Sequence, residues 1–243
     1  MKFDAARWLM ALAALSGPVE ADFQASVRFM SDAVYRGYSK TRGQPSGAVD
    51  LEYGHRSGWY AGLALTRVSF DDRRYRDRAE LEIAPYLGWS GGLVSDWRVD
   101  VGLRRYFYDG KLFGRSSDFN EFQGALQFRD RLTLSIAFAD HAYARNATTL
   151  AYELTGRQFL SDTWQVSLGL GYYQASALLG GNALYWNAGV TWYPYRFVAV
   201  DLRYVDSSVD RYRPGRGVYP FYLRPLESQL LFTLSLGLEG LFQ

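Results

Sequence analysis

The chain has 243 residues, 27 Lys and Arg against 25 Asp and Glu, and no cysteine. Near-balanced charge excludes the long-range positive field of a nucleic-acid binder, and the lack of cysteine excludes a disulfide frame, a thiolate nucleophile and a Cys-based zinc site. Aromatic residues reach 17%, with 19 Tyr, 7 Trp and 24 Gly, a composition that suits strands facing hydrocarbon on one side and water on the other.

Residues 1–21 read as an export signal peptide. Lys2 and Arg7 flank its start, Trp8 to Leu15 is apolar, and Val19-Glu20-Ala21 offers small residues at the cleavage positions. The alternative is an N-terminal helix kept in the mature protein. Beyond it no run approaches the roughly 18 to 20 apolar residues of a spanning helix, so a membrane crossing requires a barrel. Residues 22–243 are then one domain.

From Phe23 onward apolar residues recur at every second position, the period of a strand with unlike faces. Trp97, Val99, Val101 and Leu103 alternate with Arg98, Asp100, Gly102 and Arg104; Leu132 to Ala139 and Trp164 to Tyr173 repeat the pattern. The alternation predicts twelve strands, at roughly 23–34, 46–55, 59–69, 79–90, 97–108, 119–128, 132–141, 148–158, 164–174, 183–193, 197–207 and 226–239. Their connections alternate short and long. Tight turns fall near 56–58, 91–96, 130, 161–162 and 194–196, and long loops near 35–45, 70–78, 109–118, 142–147, 175–182 and 208–225. This is the asymmetry of bacterial outer-membrane barrels, and it puts both termini on the periplasmic side.

Tryptophan supplies an independent sign. Trp59, Trp89, Trp97, Trp164 and Trp192 all lie within a few residues of a short turn and share the apolar parity, as an aromatic girdle at one membrane interface requires. A soluble β-sandwich shares part of the composition but has no reason to gather Trp at one end of its strands. The last strand carries Leu230, Phe232, Leu234, Leu236 and Leu238 on one face and is followed by Phe242, the alternating, aromatic-ended segment common in barrel proteins.

Ser31-Asp32-Ala33-Val34-Tyr35-Arg36-Gly37-Tyr38-Ser39, then Gly58-Trp59-Tyr60-Ala61-Gly62, Glu80 to Gly91, Val99 to Tyr108 and Glu121-Phe122-Gln123-Gly124, resemble in order the TorF-like family of outer-membrane porins. The match covers roughly residues 26–128, its first block being the most specific; Thr66-Arg67 stands where the family usually has Ser-Asn. The resemblance implies an outer-membrane porin-like channel.

Opposite the apolar parity the strands hold most of their charge. Asp50, Glu52, Glu80, Glu82, Asp100, Glu121 and Glu153 with Arg67, Arg98, Arg104 and Arg157 are the expected pore lining, and Arg28, Asp201, Arg203, Glu227 and Glu239 share the set. In a narrow barrel such groups must be hydrated or paired, and the order of acid-rich and Arg-bearing strands predicts Arg–carboxylate ladders between neighbours. The functional reading is a polar constriction passing small polar solutes; the competing one is a salt-bridged plug in a closed structural or adhesive barrel. Arg105 falls on the apolar face near the outer interface, where a long side chain can snorkel.

Arg36, Lys40 and Arg42, the cluster Arg73, Arg74, Arg76 and Arg78, then Lys111 and Arg115, and Arg211, Arg213, Arg216 and Arg224 make the expected outer loops basic. They suit either plain solvation or contact with anionic solutes and lipopolysaccharide phosphates. The expected partners are outer-membrane lipid, lipopolysaccharide, the barrel-insertion machinery and small polar solutes, with no nucleic acid and no cofactor. The rival class is a lipid-modifying barrel enzyme with a His-based triad. Of the two histidines, His55 sits by a short turn, and His141, beside Asp140, has no serine within several residues. No catalytic residue and no metal site is expected.

Overall fold

The computed structural model describes residues 22–70, 77–209 and 223–237. The expected signal peptide, the segments 71–76 and 210–222 with their Arg and Asp residues, and Glu239 and Phe242 lie outside the described residues. Along the chain the strands are β1 (Asp22–Met30), β2 (Val34–Tyr35), β3 (Tyr38–Ser39), β4 (Ser46–Gly54), β5 (Trp59–Arg67), β6 (Leu81–Val94), β7 (Trp97–Tyr108), β8 (Phe119–Phe128), β9 (Leu132–Ala139), β10 (Thr149–Phe159), β11 (Trp164–Gln174), β12 (Ala183–Tyr195), β13 (Val198–Val209), β14 (Arg224–Pro225) and β15 (Gln229–Gly237).

Twelve of these close a ring in the order β1-β15-β13-β12-β11-β10-β9-β8-β7-β6-β5-β4, every pair antiparallel. Closure comes from β1 pairing with both β4 and β15; Val27 faces Val49 on one side and Leu236 on the other. Each strand of the ring thus has a neighbour on both sides, and the ring has no edge strand. The first described strand begins, and the last ends, at the end of the barrel that carries the short turns, since Asp22 pairs with Gly54 and Ser26 with Gly237.

The two-residue period decides the faces. Phe29, Leu87, Phe122, Leu134, Leu168, Leu170, Leu202 and Phe232 stand exposed on the outside, while Asp50, Glu82, Asp100, Glu121, Thr155 and Asn187 on the opposite parity are buried within. Large apolar groups outward and polar groups inward is the reverse of a soluble barrel, and it is the arrangement that hydrocarbon outside the ring favours. No described helix is long and apolar enough to cross a membrane.

The predicted strands match the twelve closely, with three adjustments. The first ends at Met30 rather than near 34, because residues 31–45 leave the ring and fold on their own. The turn expected over 91–96 is tighter, since β6 continues to Val94, which pairs with Trp97. The turn near 194–196 is reached through an irregularity between Trp192 and Tyr195, where Pro194 has no N–H to give the ladder.

Leu168 is 67% exposed in the isolated barrel, midway along β11. Leu168→Arg is expected to lower folding stability in lipid vesicles by about 2 to 4 kcal/mol, read from urea titrations, whereas Ser167→Thr on the inner face should change it little.

Candidate functional site

The interior is shaped by a segment between strands. β2 and β3 form a hairpin whose two-residue turn is Arg36-Gly37, with φ of 49° and 79°. Both values lie in the left-handed region, which defines the turn type whose twist matches paired strands. Gly37 takes it freely; a side chain there would press on Tyr185, whose Cβ lies 3.1 Å from the position of an added Cβ. Arg36 takes it at a cost of about 1 kcal/mol. β14 adds a third strand through Arg224–Ser39 and Pro225–Tyr38 pairs.

This small sheet enters the ring. Tyr35, Tyr38, Ser39, Lys40 and Thr41 are all buried, packed with Tyr106, Tyr108, Tyr143 and Tyr173 and with small Ala64, Ala84, Ala137 and Ala151 of the inner wall. The rings of Tyr35 and Tyr173 meet edge to face at 6.2 Å. Leu112 and Phe113 from one long loop, Tyr143 from the next and Leu178 and Leu179 from the helical turn Ser176–Leu179 join the same core at the long-loop end.

Two buried ion pairs fasten the hairpin. Arg36 grips Glu121 of β8 with both terminal nitrogens, Nη1 to Oε2 at 2.6 Å and Nη2 to Oε1 at 3.0 Å. Tyr35 donates its hydroxyl to Glu121 Oε2 at 2.9 Å and Gln123 Nε2 donates to Oε1 at 2.6 Å. Lys40 pairs with Glu82 of β6, which also accepts from Tyr108 at 3.0 Å, and the ammonium sits 4.3 Å from the Tyr35 ring centre. At the hairpin base Ser39 and Thr41 both donate to Asp32 Oδ1 at 2.6 Å. Buried charge is tolerated here because each paired carboxylate receives hydrogen bonds from neutral donors as well as its cation.

Closer to the short-turn end the strands carry a second polar cluster. Tyr86 lies 2.7 Å from Asp50 and 2.9 Å from Glu52, so its single phenolic proton serves one carboxylate at a time. Tyr60 donates to Asp100 at 2.9 Å, and the Arg104 guanidinium lies over the Tyr86 ring at 4.5 Å. These tyrosines lie flat on the wall because Gly62 and Gly88 sit beneath them; an added Cβ at Gly62 would overlap the Tyr86 ring and one at Gly88 the Tyr60 ring. Across the lumen Arg203 Nη2 holds Asp201 at 2.9 Å and Ser167 at 3.0 Å.

Of the expected lining, Asp50, Glu52, Glu82, Asp100, Arg104 and Glu121 are inward and buried, and Glu153 and Arg157 are inward and half-buried. Arg98 keeps the inward parity but is exposed at the short-turn mouth, 3.4 Å from Ser90 Oγ. Three assignments are corrected. Arg67 shares the parity of Trp59, Leu63 and Leu65 and is exposed on the outer side at the long-loop rim, where its guanidinium donates to the Pro45 carbonyl. Glu80 precedes β6 and is exposed at that rim beside Arg78, 3.4 Å away; Glu227 is likewise exposed beyond a strand end.

The ladders expected between neighbouring strands are replaced largely by bonds to tyrosines and to the hairpin, so Arg36 and Lys40 are interior groups and not outer-loop charges. The signal was present in Tyr35-Arg36-Gly37-Tyr38, an Xaa-Gly turn flanked by aromatics. Arg105 does lie on the outer face, over the Phe107 ring at 4.7 Å. Trp59, Trp89, Trp97, Trp164 and Trp192 stand on the outward parity near the short turns; Trp59 pairs with Trp89, and Trp164 stacks on Trp192 at 6.0 Å. His141 is an exposed loop residue 3.0 Å from Asp140, and this hydrogen bond holds the Asp140 carboxyl below its ordinary range. His55 is engaged with Ser57 in a short turn.

The hairpin does not fill the ring. A cavity of about 210 Å³ remains on the side of β1, β15, β13 and β12, lined by Arg28, Arg157, Gln165, Ser167, Arg203 and Ser235 among others. A smaller one of about 70 Å³ lies toward β8 and β9, and Arg36 borders both.

A family model named Gcw_chp, described as a bacterial protein of unknown function, matches residues 13–224. No curated protein matches the chain. Among solved structures it is similar to the KdgM porin in complex with disordered oligogalacturonate, at 8% identity over 89% of this chain and 98% of that one, with a TM-score of 0.51. The NanC porin is similar at 10% identity over 87% and 97% of the two chains, also with a TM-score of 0.51. At such identities the likeness is one of fold.

Glu121→Ala leaves the Arg36 charge buried without its carboxylate and is expected to cost about 3 to 5 kcal/mol, measured by urea unfolding of the folded barrel. The double variant Arg36→Met with Glu121→Leu should recover most of that loss, the coupling expected of a direct pair.

Proposed function

The chain belongs to the Gcw_chp family of bacterial proteins, and we propose that it is an outer-membrane channel for passive diffusion of small polar solutes through a charged, hairpin-narrowed lumen. One observation carries this reading: a closed ring with apolar groups outside and polar groups inside that keeps a cavity of about 210 Å³ beside the hairpin. The fold likeness to porins and the resemblance of residues 26–128 to the TorF-like porins support it.

In this reading the short-turn end, with its five tryptophans, the start of β1 and the end of β15, is periplasmic, and the tryptophans form a girdle at that interface. Trp rings place an apolar body in acyl chains and an N–H at the headgroups, which fixes the depth of the ring. The long-loop end faces outward, where exposed Arg78, Arg115 and Arg224 and half-buried Arg42 suit lipopolysaccharide phosphates. Selection follows from geometry. A solute must pass the hairpin tip and leave between Arg157, Asp201 and Arg203, so size and hydrogen bonding decide entry.

A second reading, a closed structural barrel, is favoured by the two buried pairs that pin the hairpin. Planar-bilayer recording separates them. The wild-type protein is expected to give small, discrete openings, and removal of residues 34–39 should raise conductance several-fold. Silence in the wild type with large openings in the deletion would favour the closed barrel; silence in both would remove the channel altogether.

The function proposed is non-catalytic. His141→Ala is expected to leave conductance and outer-membrane lipid composition unchanged, and a change in lipid acylation measured by mass spectrometry would count for an enzyme instead.

A further inference from the structure

Three side chains on the inner wall bury polar atoms that have no hydrogen-bond partner among the described residues. They are Nε and Nη2 of Arg28, Nε2 of Gln165 and Oγ of Ser26. The nitrogens can only donate, and the hydroxyl has a proton to give. Arg28 is 6% exposed, and its closest carboxylate contact is Asp50 Oδ2, 4.0 Å from Nη2, beyond hydrogen-bond reach. Asp50 is already engaged by Tyr86. A buried guanidinium without acceptors is strongly disfavoured, so a ligand that supplies acceptors has a large gain to make there.

Arg28 and Gln165 both line the larger cavity. The register places Arg28 opposite Ser235 of β15, and two residues along Met30 faces Thr233, which adds hydroxyl donors on the same wall. The carboxylates of this cavity are occupied. Asp201 accepts from Thr191 at 2.8 Å and from Arg203, Glu153 accepts from Tyr185, and Asp32 accepts from Ser39 and Thr41. Asp206 also borders the cavity, from the strand parity of Leu202 and Tyr204. The buried, unsatisfied atoms on the Arg28 and Gln165 side of the cavity are therefore donors next to a positive charge. Its volume of about 210 Å³ exceeds that of a few waters and admits an organic anion of several heavy atoms.

We propose that this cavity is a binding site for a small carboxylate, held by the Arg28 fork with Gln165 and Ser235 as supporting donors. Guanidinium and carboxylate match in planar, bidentate geometry, which favours this ligand class over a neutral sugar. The inference deepens the channel reading by naming the solute class, and it rests on that reading only for the ligand's passage; binding itself is a separate property.

The test is equilibrium binding to the refolded barrel in detergent, which needs no conducting path. Succinate and acetate serve as probes, sodium phosphate as a second oxyanion and glucose as the neutral control. Saturable binding of a carboxylate is expected in the wild type, weakened by about tenfold or more in Arg28→Gln and less in Arg28→Lys, with no saturable binding of glucose. Heat-modifiable migration in gels checks that each variant is folded. Should Arg28→Gln fail to fold, Gln165→Leu takes its place and should weaken binding by a smaller factor. Absence of saturable carboxylate binding to the wild type, equal affinity in the folded Arg28 variants, or phosphate bound and carboxylate not, each overturns the proposal. Binding without bilayer conductance would keep the site and sink the channel; conductance without binding would do the reverse.

Discussion

The constraint on which the molecule depends is that a strand in hydrocarbon leaves no water to satisfy its N–H and C=O groups. An open sheet would carry two unpaired edges, whose groups each cost several kcal/mol in such a medium, and only a ring removes both. Here that requirement falls on β1, which pairs with β4 beside it in the ring and with β15 from the far end of the chain. Once the ring is closed, the alternation of side chains has no freedom left: odd and even positions must go to opposite media.

Closure creates a second problem, because a twelve-stranded ring encloses more space than its own inward side chains fill. The chain answers with tyrosine and with a folded loop. Tyr60 and Tyr86 lie along the wall over glycines, removing width without adding apolar surface to the interior, since each ring ends in a hydroxyl bound to a carboxylate. The hairpin of β2 and β3 takes most of the remaining centre, carrying its own cations to Glu121 and Glu82. Its turn residue Arg36 holds a left-handed backbone that only a firm anchor makes tolerable, and the bidentate grip on Glu121 is that anchor.

The two polar clusters differ in how completely they are satisfied. A guanidinium, phenols and an amide converge on Glu121, and an ammonium and a phenol on Glu82, the condition under which a buried network is rigid. Around Arg28 the donors outnumber the acceptors. Rigid on one side and under-satisfied on the other, the lumen has a natural division between the part that holds shape and the part that meets a solute.

Sequence by itself determined the class of fold, the twelve strands, the alternation of short and long connections, the outward row with its tryptophans, and six buried inward charges from Asp50 to Glu121, because all of these follow from a local two-residue period. Arg67 was misplaced against its own parity, which it shares with Trp59, Leu63 and Leu65, and Glu80 because parity says nothing about where a strand ends. Only the tertiary structure decided that residues 31–45 turn inward and that Arg36 and Lys40, which look like solvated loop charges, neutralise Glu121 and Glu82 across the lumen. A loop's direction depends on whether the ring has room for it and on partners some 40 to 85 residues away in the chain, and neither is written in any local pattern.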